Sequence, residues 1–142
     1  MGANLINTFV EAAAPEVKTL TGWDPLLRIL SNNASDRYAE ARVLIDPKTL
    51  TTTHWDGFDI AKRVVEASRL ADCNENRAVT HNKGIMNGAI PIAIATGQDT
   101  RALESAAHFH ARGLGVSPET KSPQYGPLAT WKLTPSGFLE GR

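Results

Sequence analysis

Cysteine is nearly absent. Cys73 stands alone among 142 residues, which excludes an internal disulfide framework and a cysteine-built zinc site and fits a reducing compartment. Net charge is missing as well. The 15 Lys and Arg offset 15 Asp and Glu, leaving no electrostatic footprint for nucleic acid or an anionic membrane surface. No apolar run approaches the roughly 18 residues of a membrane span; the longest, residues 89–95, is far shorter. The first ten residues carry no basic n-region, and Glu11 and Pro15 soon follow, so no signal peptide is read there. Aromatic residues are sparse, and Trp23, Trp55 and Trp131 are too dispersed for a stacking platform; they read as core or interface residues. The expectation that remains is a soluble, cytoplasmic, mixed α/β chain. Its length suits one ordinary domain or pieces of two.

Along the chain, Leu5, Ile6, Phe9, Val10, Ala13, Val17 and Leu20 recur at helical spacing, with a kink or early end expected at Pro15. Residues 26–30 form a short apolar run that reads as a buried strand, and the polar residues 31–37 read as a crossing between domains. Residues 38–45 read as a strand. Asp56 can cap an amphipathic helix running from Phe58 to near Cys73. The glycine-containing stretch 81–88 opens a second apolar run, which is broken at Thr96, Gly97 and Gln98. Asp99 then stands at the N-cap position of a further helix. Residues 113–127 read as a loop and residues 128–139 as a hairpin turning at Pro135-Ser136-Gly137. The first residues enter a helix with nothing upstream for it to follow, and the last strand has no element after it to pair with. Both suggest a piece cut from a larger protein.

Chemistry concentrates in Arg77, His81, Asn82, Lys83, Asn87 and Asp99. If a helix begins at Gly84, Lys83 lies at its N-terminus and Asn87 one turn later on the same face. The partial positive charge of a helix N-terminus disfavours an ammonium, so a carboxylate is wanted nearby, and Asp99, just beyond the other end of the apolar run, is the nearest downstream candidate. A lysine bonded to an acid can donate to an oxygen that is becoming negative. Pro91 lacks an N–H, which would leave the Asn87 carbonyl unbonded one turn earlier. Blander readings stand beside these. Taken alone, Lys83 reads as a solvated helix-start lysine, Asp99 as a plain N-cap and Arg77 as a surface ion-pair partner. His108 and His110 lie two apart on a helix and point about 200° from each other, so they cannot share a metal, and no metal site is expected. Cys73 reads as a buried structural thiol rather than the nucleophile of a Cys73–His81 hydrolase, because no oxyanion motif accompanies it.

The block His81-Asn82-Lys83-Gly84-Ile85-Met86-Asn87-Gly88, followed by Ala95-Thr96-Gly97-Gln98-Asp99, resembles the active-site core of class II 3-hydroxy-3-methylglutaryl-CoA (HMG-CoA) reductases. Met1-Gly2-Ala3-Asn4 is similar to the end of that family's cofactor motif. Arg28-Ile29-Leu30-Ser31-Asn32 and Tyr125-Gly126-Pro127-Leu128-Ala129-Thr130-Trp131 match family segments in the same order. The resemblance spans essentially the whole chain. It implies an α/β (α+β) fold. Residues 1–31 would end a small, ferredoxin-like NAD(P)-binding domain, and residues 32–142 would form the helix-rich middle of the large HMG-CoA-binding, catalytic domain.

The implied activity is that of an oxidoreductase of the mevalonate pathway. It carries out a four-electron reduction of HMG-CoA to mevalonate and CoA with NADPH or NADH, or the reverse. Lys83 would polarise the carbonyl, Asp99 would tune its proton, Asn87 would meet the substrate and Arg77 would pair with its carboxylate. Met1, Asn4 and Asn32 would contact the cofactor. A homodimer-based oligomer is implied, with neither nucleic acid nor membrane as partner. The family's upstream Glu-Asn-Val-Ile-Gly block, its downstream Gly-rich block and its histidine-bearing tail have no counterpart among these residues, so the isolated chain is expected to be inactive. A non-catalytic binding or assembly fragment is the alternative.

Overall fold

The computed structural model describes residues 2–34, 36–117, 119 and 121–142. The chain divides into two compact units, Met1–Ala34 and Ser35–Arg142. The first is built on helix α1, Gly2–Thr21, which runs through Pro15 without ending. Proline forfeits one ladder bond there, but the turns on either side stay bonded, and the Thr19 hydroxyl donates to the Pro15 carbonyl at 3.0 Å. Gly22, at φ 72°, reverses the chain, and its N–H donates to the Lys18 carbonyl at 2.8 Å. The expected buried strand at residues 26–30 does not form: Leu26 is 93% exposed and Leu27 78%. No strand lies beside this segment among the described residues of the unit. It is held through side chains of α1 instead, with the Leu30 N–H donating to Asn7 Oδ1 and Arg28 pairing with Glu11, both at 3.0 Å.

The second unit opens with β1, Val43–Ile45, only the last part of the expected strand. A 3-10 turn, Pro47–Leu50, leads to α2, Gly57–Cys73. Asp56 caps α2 as its position suggests, accepting from the Phe58 N–H at 2.8 Å. Then come α3, Glu75–Ala95, and α4, Thr100–Ala111. The region read as a loop is an antiparallel pair, β2, Arg112–Val116, with β3, Pro123–Tyr125, irregular between Arg112 and Gly115. Its glycines and prolines mimic a loop in composition while serving a bulged hairpin. The terminal hairpin is present as β4, Trp131–Leu133, and β5, Leu139–Gly141.

The last strand does have a partner. β5 lies at the centre of a three-stranded antiparallel sheet, between β1 and β4, with Leu44 and Lys132 both opposite Glu140. Helix α2 covers one face. Ala61, Val65 and Leu139 form the buried cluster, with Ile45, Leu50, Val64, Trp131 and Leu133 packed around it. Complete burial of a Val or Leu side chain stabilises by about 1.5–3 kcal/mol. On β5's other side the buried Glu140 carboxylate is matched by Arg42 at 2.6 Å and Lys132 at 3.4 Å.

The start of α2 sits hard against the turn before it. A Cβ on Gly57 would fall 1.9 Å from the Pro47 carbonyl oxygen. Gly57→Ala is therefore expected to lower stability by about 1–3 kcal/mol, the usual cost of forcing an atom into filled space. Thermal unfolding checks this, and an unchanged Tm would mean that the junction is slack.

Candidate active site

Helix α3 carries the chemistry. It starts at Glu75, not near Gly84, because Asn74 caps it by accepting from the Arg77 N–H at 2.9 Å. Lys83 is therefore more than two turns inside the helix, where the partial charge of the N-terminus no longer acts. The placement of Lys83 at a helix start is thus corrected, and the need for an acid to balance that charge goes with it. Gly84 and Gly88 are interior residues of α3 with nothing within 4 Å of an added Cβ.

The structure does bring Lys83 and Asn87 together. They lie one turn apart on the exposed side of α3. Arg77 is half-buried and lies about 120° around the helix from Lys83, with Asn87 between them in angle. Pro91 lies within α3, so the Asn87 carbonyl lacks its helical donor as expected. Among the described residues neither Lys83 nor the Asn87 side chain has a hydrogen-bond or ion-pair partner. The result is an exposed ammonium and an exposed amide one turn apart, a carbonyl that lacks its i+4 donor, and two glycines open to space. Such a surface can hold and polarise a carbonyl-bearing ligand.

Asp99 is elsewhere. Its Oδ1 accepts from the N–H groups of Arg101 and Ala102, both at 3.0 Å, and so closes the start of α4. Between Lys83 and the end of α3 at Ala95 lie about 18 Å of helix at 1.5 Å per residue. No hydrogen bond or ion pair joins Lys83 to Asp99 among the described residues. In the first unit, Asn4 and Asn32 are exposed, while Met1 lies outside the described residues.

The other sequence candidates separate in the same way. Cys73 is exposed rather than buried, at the end of α2 where few side chains cover it; its thiol lies 3.6 Å from the Leu70 carbonyl. His81 does not face it, because its Nε2 meets the Ala129 carbonyl at 3.0 Å. His108 Nδ1 bonds the Tyr125 hydroxyl, and no group of three or more metal-ligating side chains occurs among the described residues. Trp23 is 78% exposed, so it is no core residue of this chain, whereas Trp131 packs against the core cluster.

Sequence reasoning missed the fastening of residues 125–131. This stretch crosses the three helices of the second unit and is tied through its own backbone. The Tyr125 N–H reaches Glu75 at 3.4 Å, and the Gly126 N–H donates to the Ala111 carbonyl at 2.9 Å. Asn82 bonds the Gly126 carbonyl at 2.9 Å and the Leu128 N–H at 2.7 Å. The Trp131 N–H donates to Ser68 at 2.9 Å. The available signal was a polar residue on an otherwise apolar helix face: Ser68 follows Ala61 and Val65 at helical spacing, and such a residue, once buried, must find a hydrogen-bond partner.

The family model described as hydroxymethylglutaryl-coenzyme A reductase matches residues 1–136. A probable 3-hydroxy-3-methylglutaryl-coenzyme A reductase of Borreliella burgdorferi is 37% identical over 139 residues, covering 98% of this chain and 30% of that protein. The reductase of Archaeoglobus fulgidus is 38% identical over 141 residues, covering 99% and 29%. A solved Streptococcus pneumoniae reductase superposes with a TM-score of 0.71 at 37% identity, over 99% of this chain and 36% of that one. A class II reductase from the same organism, bound to NADPH in open conformations, gives 0.70 at 37% identity, over 99% and 32%. The chain thus spans about 30% of the length of the curated relatives it matches.

One titrating group near α3 is shifted. Partial desolvation at the end of α2 raises the Asp72 carboxyl above its ordinary range, with His81 pulling it partly back. The folded chain therefore disfavours the ionised form. That penalty is absent below the unfolded carboxyl's pKa, grows as pH rises from there to the folded one, and is complete above it. Asp72→Asn is expected to raise Tm near pH 7 and to leave it unchanged near pH 3, where both states are protonated; a gain of equal size at both pH values would rule out desolvation as its cause.

Proposed function

The chain belongs to the hydroxymethylglutaryl-coenzyme A reductase family, and we propose that it forms the segment of such an enzyme that polarises the substrate carbonyl. The observation that carries this reading is the exposed pair of Lys83 and Asn87 on one side of α3, beside open glycines and a carbonyl freed by Pro91. The reaction is the reduction of HMG-CoA to mevalonate. One molecule of HMG-CoA, two of NAD(P)H and two protons give mevalonate, CoA and two of NAD(P)+. The first reduction takes the thioester to the aldehyde level with loss of CoA, and the second takes the aldehyde to the alcohol.

In both reductions a carbonyl oxygen becomes negative, and the Lys83 ammonium is the donor that meets it. Asn87 holds the same oxygen or its neighbour through an amide N–H. The Arg77 guanidinium pairs with the substrate's free carboxylate, for which its planar fork is suited. The nicotinamide supplies hydride when bound. The exposed amides of Asn4 and Asn32, and the N–H groups of the first turn of α1, are a donor set that fits a dinucleotide. Residues 1–31 belong to the cofactor domain in this reading, and residues 32–142 to the substrate domain.

Asp99 is the acid of the set. Its Oδ2 accepts no hydrogen bond among the described residues and is open to a cation. Because most of α3 separates it from Lys83 within one chain, both serve one site when the acid comes from a second copy, in a dimer-based enzyme.

These roles are tested in the complete reductase carrying this segment, with oxidation of NAD(P)H by HMG-CoA as the assay. Lys83→Ala is expected to lower kcat by at least about 100-fold; undiminished turnover would refute the carbonyl-polarising role. Asp99→Asn keeps a capping side chain, whereas Asp99→Ala removes it at a cost of about 1 kcal/mol. The Asn variant is expected to lose activity at unchanged Tm, and the Ala variant to lose both. If the acid is shared between copies, mixed assembly of Lys83→Ala and Asp99→Asn chains is expected to restore roughly a quarter of wild-type activity, since a two-fold heterodimer keeps one intact site of two. No recovery would place both groups in one chain.

A further inference from the structure

Asn82 precedes Lys83 and is fully buried, one of the largest fully buried side chains among the described residues. Its amide is used from both ends. Nδ2 donates to the Gly126 carbonyl at 2.9 Å, and Oδ1 accepts from the Leu128 N–H at 2.7 Å. The backbone it grips is itself fastened and closely packed. The Gly126 N–H is bonded to the Ala111 carbonyl at 2.9 Å, and Gly126 sits so close to β2 that a Cβ there would lie 2.2 Å from the Gly115 nitrogen. His81 adds a bond to the Ala129 carbonyl at 3.0 Å.

The other buried residues of α3 are Ala78, Met86 and Ala93. Two are small and one is flexible, so they oppose exposure without fixing how far the helix turns or slides about its axis. Gly84 and Gly88 make the same stretch pliable, and Pro91 removes a ladder bond. The directional contacts that set the rotation of α3 at this point are therefore the Asn82 amide, bonded at both ends, and the single His81 bond beside it. One residue further on, about 100° around the helix, stands Lys83.

We infer that Asn82 is a positioning residue for Lys83: by clamping α3 to the backbone of residues 126–128, it fixes the direction in which the ammonium leaves the helix. It acts through Lys83 and handles no proton itself. This inference rests on the reading of Lys83 as the carbonyl-polarising group.

Asn82→Asp in the complete reductase tests it. The two side chains have the same shape. A carboxylic acid can donate to the Gly126 carbonyl and accept from the Leu128 N–H as the amide does, but a carboxylate can only accept and faces the carbonyl oxygen. Near pH 8, below the melting temperature of the variant, kcat is expected to fall about 10- to 100-fold, the scale of a displacement of an ångström or less. The KM for HMG-CoA should stay near the wild-type value. The ratio of variant to wild-type kcat is expected to recover as the pH is lowered through the pKa of the introduced acid. Wild-type kcat in the folded variant near pH 8, a KM that rises with no change in kcat, or a ratio that ignores pH would overturn the inference. If the variant does not fold near pH 8, Asn82→Gln decides in its place. This variant keeps a neutral amide on a longer arm; a lowered kcat at constant KM supports the positioning role and a wild-type kcat refutes it. Lys83→Ala is measured in parallel. Undiminished turnover there removes the reading of Lys83 itself, whereas its loss alongside an unimpaired Asn82→Asp enzyme removes only the role of Asn82.

Discussion

An amide sealed away from water must find both an acceptor for its N–H and a donor for its oxygen, or the burial costs several kcal/mol. Asn82 finds both on a single stretch of backbone, at Gly126 and Leu128. Much of the second unit follows from that arrangement. The stretch reaches α2 through Ser68, α3 through Glu75, His81 and Asn82, and α4 through the end of that helix and the His108–Tyr125 bond. Three helices with narrow apolar faces are joined by an extended strap whose own polar groups are satisfied by them. The two sequence blocks most suggestive of the family, one around Lys83 and one from Tyr125 to Trp131, are the two halves of this contact.

Helix α3 needs such support. Each interior glycine costs about 1 kcal/mol of helix stability and an interior proline about 3, and α3 holds Gly84, Gly88 and Pro91 within little more than two turns. A purely structural helix would gain by replacing them. Here the missing side chains leave open space beside Lys83, and the missing N–H leaves the Asn87 carbonyl available. Sites for chemistry are often built from locally unfavourable choices held in place by the surroundings.

The parts of the fold legible in sequence were those with local causes. Asp56 and Asp99 stand where N-caps belong, and they cap. The apolar spacing of residues 58–70 marks α2, and Pro135-Ser136-Gly137 marks the turn of the terminal hairpin. What misled was composition without partners. Residues 26–30 are apolar enough for a strand, but no strand pairs with them among the described residues of their unit. The glycines after Lys83 read as a helix start because helix propensity is local, while the strap that keeps α3 continuous comes from more than 40 residues away. The candidate site divides along the same line. Lys83 and Asn87 are neighbours by helix geometry alone, whereas the relation of Asp99 to Lys83 depends on how far a 21-residue helix carries the chain before it turns.

The position of β5 has a consequence for assembly. This last strand lies between β1 and β4, and β1 is the first strand of its unit. A ribosome therefore releases β1 long before the strand that must cover its inner edge, and that edge waits through the synthesis of all three helices. Pairings so distant along a chain form slowly, and an open strand edge invites the wrong neighbour meanwhile. The exposed Arg42 just before β1, which meets the buried Glu140 in the folded chain, places a charge beside that edge, the kind of residue that discourages wrong pairing.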